Sequence, residues 1–458
     1  MRAPRCRTED FFGPAVKAYR EFIRRERTLI LYNGSELVVI ADTGGIEMII
    51  TPEDFLLSCE CGREHKVSIK RIVIERNCLP ALPAHLAELG ILGKICGVYD
   101  SNTYAAAGKL RPQTDYDVVL PSINLHADER AVKQLTDSMP PDVKVLVAVG
   151  GGTIHDITRY CAAQKGICFV SAPTAASVDG FASSVAAMTW KGFKVTMPAA
   201  APVLILADIS IISQAPAYLS VSGVGDILGK YICLADWKIA GILTGEYYCD
   251  GIARLMEKAV NEVRDCCEGL KRGDSEAFVK LTYGLILSGI AMQLSGNSRP
   301  ASGAEHHISH FIEMGIVGSS DALHGEKVGV GTLICAKRYH ELGAKQVVKA
   351  KRPSHFPLTG EYLQPVYGSM TEGVLDENRH DVLADVDPVI LEEKWSEIAG
   401  IISKIPTYEQ LLEILQSISA RTTLADIGIS ETKYETILEY SPYMRSRLTL
   451  LRASKMLE

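Results

Sequence analysis

Four of the chain's eleven histidines fall within nineteen positions: His306, His307 and His310 in SGAEHHISH, and His324 in ALHGEKVGVGT. On a helix, His306 and His310 share a face because they are four residues apart, while His307 points elsewhere. A third ligand-type position, Asp226, lies far upstream in SGVGDILGK, which reads as the start of a helix. One carboxylate with two imidazoles suits a borderline divalent ion such as Zn²⁺, with positions left open for a substrate. HxxxH also occurs on helices that bind no metal, so spacing alone leaves both readings open.

A second chemistry-bearing stretch is Gly150-Gly151-Gly152-Thr153, which follows the apolar run VKVLVAV and precedes a helical pattern over 154–163. Strand, glycine run and helix start form a phosphate-binding arrangement. Glycines let the backbone approach a pyrophosphate, and the helix terminus offers unpaired N–H groups. The spacing is not GxGxxG, and a tight turn without a ligand is the alternative. Two further polar loops follow strand-like runs: Tyr99-Asp100-Ser101-Asn102-Thr103 and Ser171-Ala172-Pro173-Thr174-Ala175-Ala176-Ser177. Ligands of open α/β sheets sit beyond the carboxyl ends of strands, so three such loops together point to a nucleotide. Asp100 is placed to bond an adenosine ribose hydroxyl, or else to cap a turn or helix. A third cluster, CECGREH (Cys59, Cys61, His65), has tight Cys-x-Cys spacing and no second Cys/His pair close by. It is read as a hairpin turn in preference to a structural zinc site.

The elements that must carry these residues divide the chain in two. Short apolar runs at 95–99, 116–120, 143–149, 167–172 and 203–207 alternate with helical stretches. The run at 143–149 is apolar at nearly every position, as a parallel strand buried on both faces requires. Strands alternating with helices mean βαβ units, hence a Rossmann-like α/β domain over 59–215. Helical periodicity takes over at 226–242, 251–268, 275–294, 305–314, 392–403, 408–417 and 434–441, an all-α domain over 216–458. Residues 350–368 read as a loop between helices. Residues 1–58 form an extension of unclear structure, with β-like runs over 29–50 broken by Asn33-Gly34 and Gly44-Gly45.

Composition excludes several classes. A length of 458 residues calls for two domains, since single cores rarely grow past roughly 250–300 residues. The formal charge of −7, with no long Lys/Arg run, disfavours nucleic acid as a partner. No apolar stretch runs uninterrupted for the roughly 18 residues that span a bilayer, and the start, MRAPRCRTEDFF, has no apolar core of a signal peptide. The twelve cysteines are therefore expected to be reduced thiols in a cytoplasmic protein.

Five ordered motifs, VGGGTIHDITRY, SAPTAASVDGFASS, GVGDILGKYICLADWKIA, SRPASGAEHHISH and LHGEKVGVGT, together resemble the iron-containing alcohol dehydrogenase and dehydroquinate synthase superfamily. SRPASGAEHHISH and ADWKIA bring the chain closest to the glycerol-1-phosphate dehydrogenase branch, and the closing YSPYMRSRLTLLR resembles its bacterial members. The resemblance runs from about Cys59 to the end. It implies that Asp226, His306 and His324 bind one divalent metal, Zn²⁺ or Ni²⁺. It places Gly150, Gly151, Gly152 and Asp156 around the NAD(P) pyrophosphate, Thr174 and Ser177 beside the nicotinamide, and Asp179 at the substrate hydroxyls. It further implies a homodimer or larger assembly. A phosphorylated substrate needs cations, for which Arg299 is the first candidate and Lys230 the second. His310 or Asp179 would relay the proton. The alternatives are a glycerol or other polyol dehydrogenase, a dehydroquinate synthase-like enzyme (which would carry Glu where Asp226 stands), and a nucleotide-binding protein without catalysis.

Overall fold

The computed structural model describes residues 48–55, 59–191 and 193–458. Its first half is built on one seven-stranded sheet. In chain order the strands are β1 (Met48–Ile50), β2 (Arg71–Glu75), β3 (Lys94–Asp100), β4 (Tyr116–Leu120), β5 (Val143–Gly150), β6 (Cys168–Pro173) and β9 (Leu204–Asp208). They lie in the order β1-β2-β9-β6-β5-β3-β4. All neighbours are parallel except β1, which pairs antiparallel with β2 at the edge. A separate hairpin, β7 (Val185–Trp190) with β8 (Phe193–Pro198), stands beside the sheet. The extension read as unclear thus supplies an edge strand at 48–50; residues 1–47 lie outside the described residues.

Alternation along β5 shows why that run is apolar throughout. Val145, Val147 and Val149 face one core with Leu82, Leu86 and Tyr99, while Leu146 and Ala148 face another with Leu135, Ile154 and Ile157. Helices α1 (Leu82–Glu88) and α2 (Ser101–Ala107) cover the first face; α3 (Glu129–Ser138) and α4 (Gly152–Lys165) cover the second. The chain leaves β3 for β4 on one side and β5 for β6 on the other. The order therefore switches between β3 and β5, which is where open sheets of this kind hold ligands.

Beyond the one-turn α5 (Ile209–Ile212) the structure is helical: α6 (Ala217–Leu228), α7 (Lys230–Thr244), α8 (Asp250–Arg272), α9 (Ser275–Ser295), α10 (Ala304–Glu313) and α11 (His324–Gly343), then shorter helices to the end. Three readings of the sequence are corrected here. Asp226 does not start a helix; it lies in the last turn of α6, and the segment read as one helix over 226–242 breaks at Gly229. Gly223 and Gly225 sit inside α6 because each touches a foreign backbone. A Cβ at 223 would stand 2.1 Å from the Ala176 carbonyl oxygen, and one at 225 would stand 2.2 Å from that of Gly325. Residues 350–368, read as a loop, contain the helix Gly360–Tyr367, capped by the Thr359 side chain. Residues Cys59–His65 make no hairpin; they run as a bent segment toward the start of α8.

Among the described residues only α9 is long and apolar enough to cross a membrane, and 78% of the relevant stretch is buried inside the protein. It is the central helix of the larger core, packed on α8.

Candidate active site

Three elements distant in sequence meet at one point. Asp226 ends α6, His306 lies in the first turn of α10, and His324 opens α11. One ligand-type atom from each falls within 4.8 Å of the others. The closeness is a consequence of glycine packing between α6 and α11. A Cβ on Gly325 would stand 1.8 Å from the Ser222 carbonyl oxygen, so only glycine lets the two backbones touch. Asp226 is fully buried, with Oδ1 3.5 Å from His306 Nε2.

Carboxylates behind the imidazoles fix their orientation. His306 Nδ1 bonds Glu305 at 2.7 Å, and His324 Nδ1 bonds Glu313 at 2.9 Å. Each ring therefore presents Nε2 to the centre, the second-sphere pattern of metal-bound histidine. Neither glutamate was singled out from the sequence, although Glu305 adjoins His306 in AEHH. The charges ask for a cation. With neutral imidazoles, Asp179, Asp226, Glu305 and Glu313 outnumber the ammonium groups of Lys230 and Lys327 nearby. Burial opposes charge on His306, yet its bonds to Asp226 and Glu305 push it up to about 9. Burial also opposes ionisation of Asp226, but Lys230 and the two histidines hold its carboxyl well below the usual range. One carboxylate and two imidazole nitrogens, each ring fixed from behind by a glutamate, are a donor set that fits a divalent ion. His310, one turn along α10, lies 6.2 Å from His306 and 6.1 Å from His324, ring to ring. Burial, then the charge of Arg445, hold it down to about 3, a neutral imidazole whose Nδ1 has no partner among the described residues.

The loop after β6 joins this centre to the glycine turn. Thr174 donates its backbone N–H to the Gly150 carbonyl at 3.2 Å, and the Asp179 N–H reaches Asp226 Oδ2 at 3.0 Å. Between them Thr174 and Ser177 are buried, and Ser177 accepts a bond from Ser222 at its carbonyl. Gly151 caps α4 with extended backbone, and a Cβ there would meet nothing within 4 Å. The fold has no need of glycine at 151, and the open cradle at the helix N-terminus fits a pyrophosphate. Asp156 lies one turn into α4, beside Arg159. Asp100 ends β3 across the switch point. Its Oδ1 accepts the Asn102 and Thr103 N–H groups, so it caps α2 while Oδ2 stays outside those bonds.

The two cations proposed for a phosphate are differently placed from the expectation. Lys230 is buried at the centre itself, giving its protons to Asp179 at 2.7 Å, Asp226 at 3.1 Å and the Ala301 carbonyl at 2.9 Å. An ammonium has three protons, so none is left for a phosphate. Arg299 grips Glu246 through Nε and Nη2 and gives Nη1 to the Leu448 carbonyl. Its charge is neutralised in place. Two other arginines, from RSRL, stand close by. Arg447 is tied to the Ser302 carbonyl and the Ser298 hydroxyl rather than to an acid. The Arg445 guanidinium makes no hydrogen bond or salt bridge to a described residue, yet its charge acts on His307 and His310. Neither stands out as a phosphate ligand in the sequence, where both lie in the closing motif YSPYMRSRLTLLR.

Comparison with known proteins places the arrangement. Residues 73–216 match the family model described as iron-containing alcohol dehydrogenase. A glycerol-1-phosphate dehydrogenase (NAD(P)+) of Halalkalibacterium halodurans is 32% identical over 406 residues, covering 86% of this chain and 94% of that protein. The chain belongs to the glycerol-1-phosphate dehydrogenase family. A Bacillus licheniformis member is 39% identical over 298 residues, 62% of this chain and 74% of that protein. The fold also matches an iron-containing alcohol dehydrogenase from Corynebacterium glutamicum, with a TM-score of 0.55 and 16% identity over 86% of this chain and 96% of that one. In this family setting the chain is an NAD(P)-linked oxidoreductase with a nucleotide cofactor and a divalent metal.

Proposed function

We propose that the protein interconverts dihydroxyacetone phosphate and sn-glycerol 1-phosphate, with NAD(P)H as reductant and one Zn²⁺ or Ni²⁺ per subunit. It would work in the cytoplasm as a homodimer or larger assembly. Residues 59–215 would carry the nucleotide and 216–458 the metal and substrate. The observation that carries this is the meeting of Asp226, His306 and His324 at the end of the loop that starts on the glycine turn.

When bound, the nicotinamide supplies the hydride and the divalent ion stabilises the charge that develops on the carbonyl oxygen. Every other role falls to the chain. Asp226, His306 and His324 hold the ion, with Glu305 and Glu313 orienting the rings. Gly150, Gly151, Gly152 and Asp156 border the pyrophosphate, Asp100 the ribose, and Thr174 and Ser177 the nicotinamide side. Asp179, held by Lys230 and Ser288, faces the substrate hydroxyls. Lys230 acts from behind, linking Asp179 to Asp226. His310, neutral through burial, orients a substrate hydroxyl by hydrogen bonding, and the proton relay passes through it or Asp179. The phosphate lies toward Arg299, Arg445 and Arg447, where three guanidinium groups face one paired acid, Glu246.

The test is oxidation of NADH and NADPH with dihydroxyacetone phosphate, dihydroxyacetone and the dehydroquinate precursor in parallel, with product chirality determined. Preference for the phosphorylated ketone and an sn-1 product are expected. Arg445→Ala should raise KM for dihydroxyacetone phosphate by about tenfold or more while leaving glycerol oxidation unchanged. Equal losses on both substrates would remove Arg445 from the phosphate site. His324→Ala should lose the active-site metal and nearly all turnover; full activity after exhaustive chelation would reject the metal role.

A further inference from the structure

The segment that failed to form a hairpin meets a partner the sequence does not place beside it. Cys59, Cys61 and His65 converge on Cys249, 184 residues beyond His65, and one ligand atom from each lies within 4.8 Å of the rest. The three sulfurs gather around a single nitrogen. His65 Nε2 is 3.1 Å from Cys59 Sγ, 3.3 Å from Cys61 Sγ and 3.6 Å from Cys249 Sγ, and the two sulfurs of Cys59 and Cys61 are 3.2 Å apart. That sulfur pair is far outside covalent S–S distance.

Hydrogen bonding among thiols does not explain the grouping. A neutral imidazole nitrogen has one lone pair and accepts one good bond, not three. Its other nitrogen is already committed: His65 Nδ1 lies 2.8 Å from the Leu294 carbonyl oxygen at the end of α9. A carbonyl only accepts, so Nδ1 carries the proton and Nε2 its lone pair, aimed at the sulfurs. This is the outer-sphere bond that fixes a metal-bound histidine. Zn–S bonds of about 2.3 Å and Zn–N bonds of about 2.0 Å at tetrahedral angles put neighbouring ligand atoms roughly 3.5–3.8 Å apart. The four atoms are already close to that spacing. Tyr247 adds a hydroxyl 3.5 Å from Cys61 Sγ, and the Arg63 guanidinium stacks on the Tyr247 ring at 3.6 Å, so donor and positive charge surround the sulfurs. Cys249 is fully buried at the N-cap of α8, so its sulfur is held in place by the helix start.

We propose that Cys59, Cys61, His65 and Cys249 bind a structural Zn²⁺, separate from the catalytic ion and independent of the activity assigned above. Three thiolates and one imidazole make a soft, closed tetrahedral set with no position for substrate. The ion joins the segment that leads into β2 to the start of α8 and, through His65, to the end of α9. It also anchors the turn holding Glu246, three residues before Cys249, and therefore the acid that pairs with Arg299.

The experiment is metal analysis of the full-length protein purified from zinc-supplemented cells. Chelator dialysis should remove the ion of the Asp226 centre and leave one zinc per chain. Titration of the thiols with a mercurial should then release that zinc, followed with a colorimetric zinc indicator. His324→Ala should keep this zinc, and Cys61→Ser should lose it. Replacement by Co²⁺ should add thiolate-to-cobalt charge-transfer absorption, which needs no variant and so survives a poorly folding Cys61→Ser. The proposal is overturned if the wild-type protein holds no mercurial-released zinc after chelation, or if Cys61→Ser retains it. Failure of the dehydrogenase assays would leave this result untouched, and loss of this zinc would leave the catalytic assignment standing.

Discussion

Gly225→Ala tests whether helix contact sets the metal geometry. A Cβ at 225 would lie 2.2 Å from the Gly325 carbonyl oxygen, a backbone atom that cannot rotate away. Relief to van der Waals contact requires α6 and α11 to part by about 1 Å, an overpacking cost of about 1–3 kcal/mol. The displaced residues are the neighbours of the ligands: Asp226 follows Gly225, and His324 precedes Gly325. Metal–ligand distances tolerate about 0.2 Å, so a shift of about 1 Å breaks the shared centre. Misplacement of that size costs roughly 100-fold in rate. The variant should fold with a lowered Tm, hold far less than one chelatable metal per chain, and lose kcat at saturating metal. Metal content by mass spectrometry, denaturation midpoint and kcat are the assays. Wild-type metal content and kcat together with a lowered Tm would refute the reasoning, since the clash would then have been relieved without moving the ligands.

Gly151→Ala meets no protein atom, so stability should be unchanged while KM for NAD(P)H rises by about tenfold or more; an unaltered KM would exclude pyrophosphate from that cradle. Glu313→Gln should weaken metal binding by about 10–100-fold, read as a shift in the chelator concentration that halves activity, because His324 loses the carboxylate that orients it. His155 gives a pH dependence. Burial and the Arg159 charge lower it from 6.5 to about 3, so the unfolded chain takes up a proton that the folded one refuses. Its stabilisation is complete above pH 6.5 and is lost as pH falls toward 3, at up to about 1.4 kcal/mol per pH unit. His155→Gln should flatten the fall of the denaturation midpoint between pH 6.5 and 4; an unchanged slope would assign the acid sensitivity elsewhere.

The α/β half was legible because local signals and tertiary burial agree there. Val143–Gly150 is a run whose apolar content matches a strand covered on both faces, and Tyr116–Leu120 alternates as an edge strand covered on one. β1 falls within the β-like run that ends at Ile50, whereas β2, β7 and β8 do not stand out, since isolated runs of five or six residues resemble loops in composition. In the helical half, Tyr408–Ser417 has a capping box and clear periodicity, whereas α6 carries two glycines that argue against a helix locally. Those glycines are explained by the carbonyls of Ala176 and Gly325, which no window of sequence contains.

The residue types and order of the chain determined the family, the nucleotide turn and the candidate ligands Asp226, His306 and His324. Only the fold decided which charges are free. Lys230 and Arg299 look alike as cations in sequence, yet each is neutralised by acids from other elements, while Arg445 is left without such a partner among the described residues. The same holds for Cys59, Cys61 and His65, which read as an incomplete cluster until α8 brings Cys249 beside them. A side chain's chemistry depends on the groups within a few ångströms of it, and those groups are chosen by packing between segments far apart in the chain.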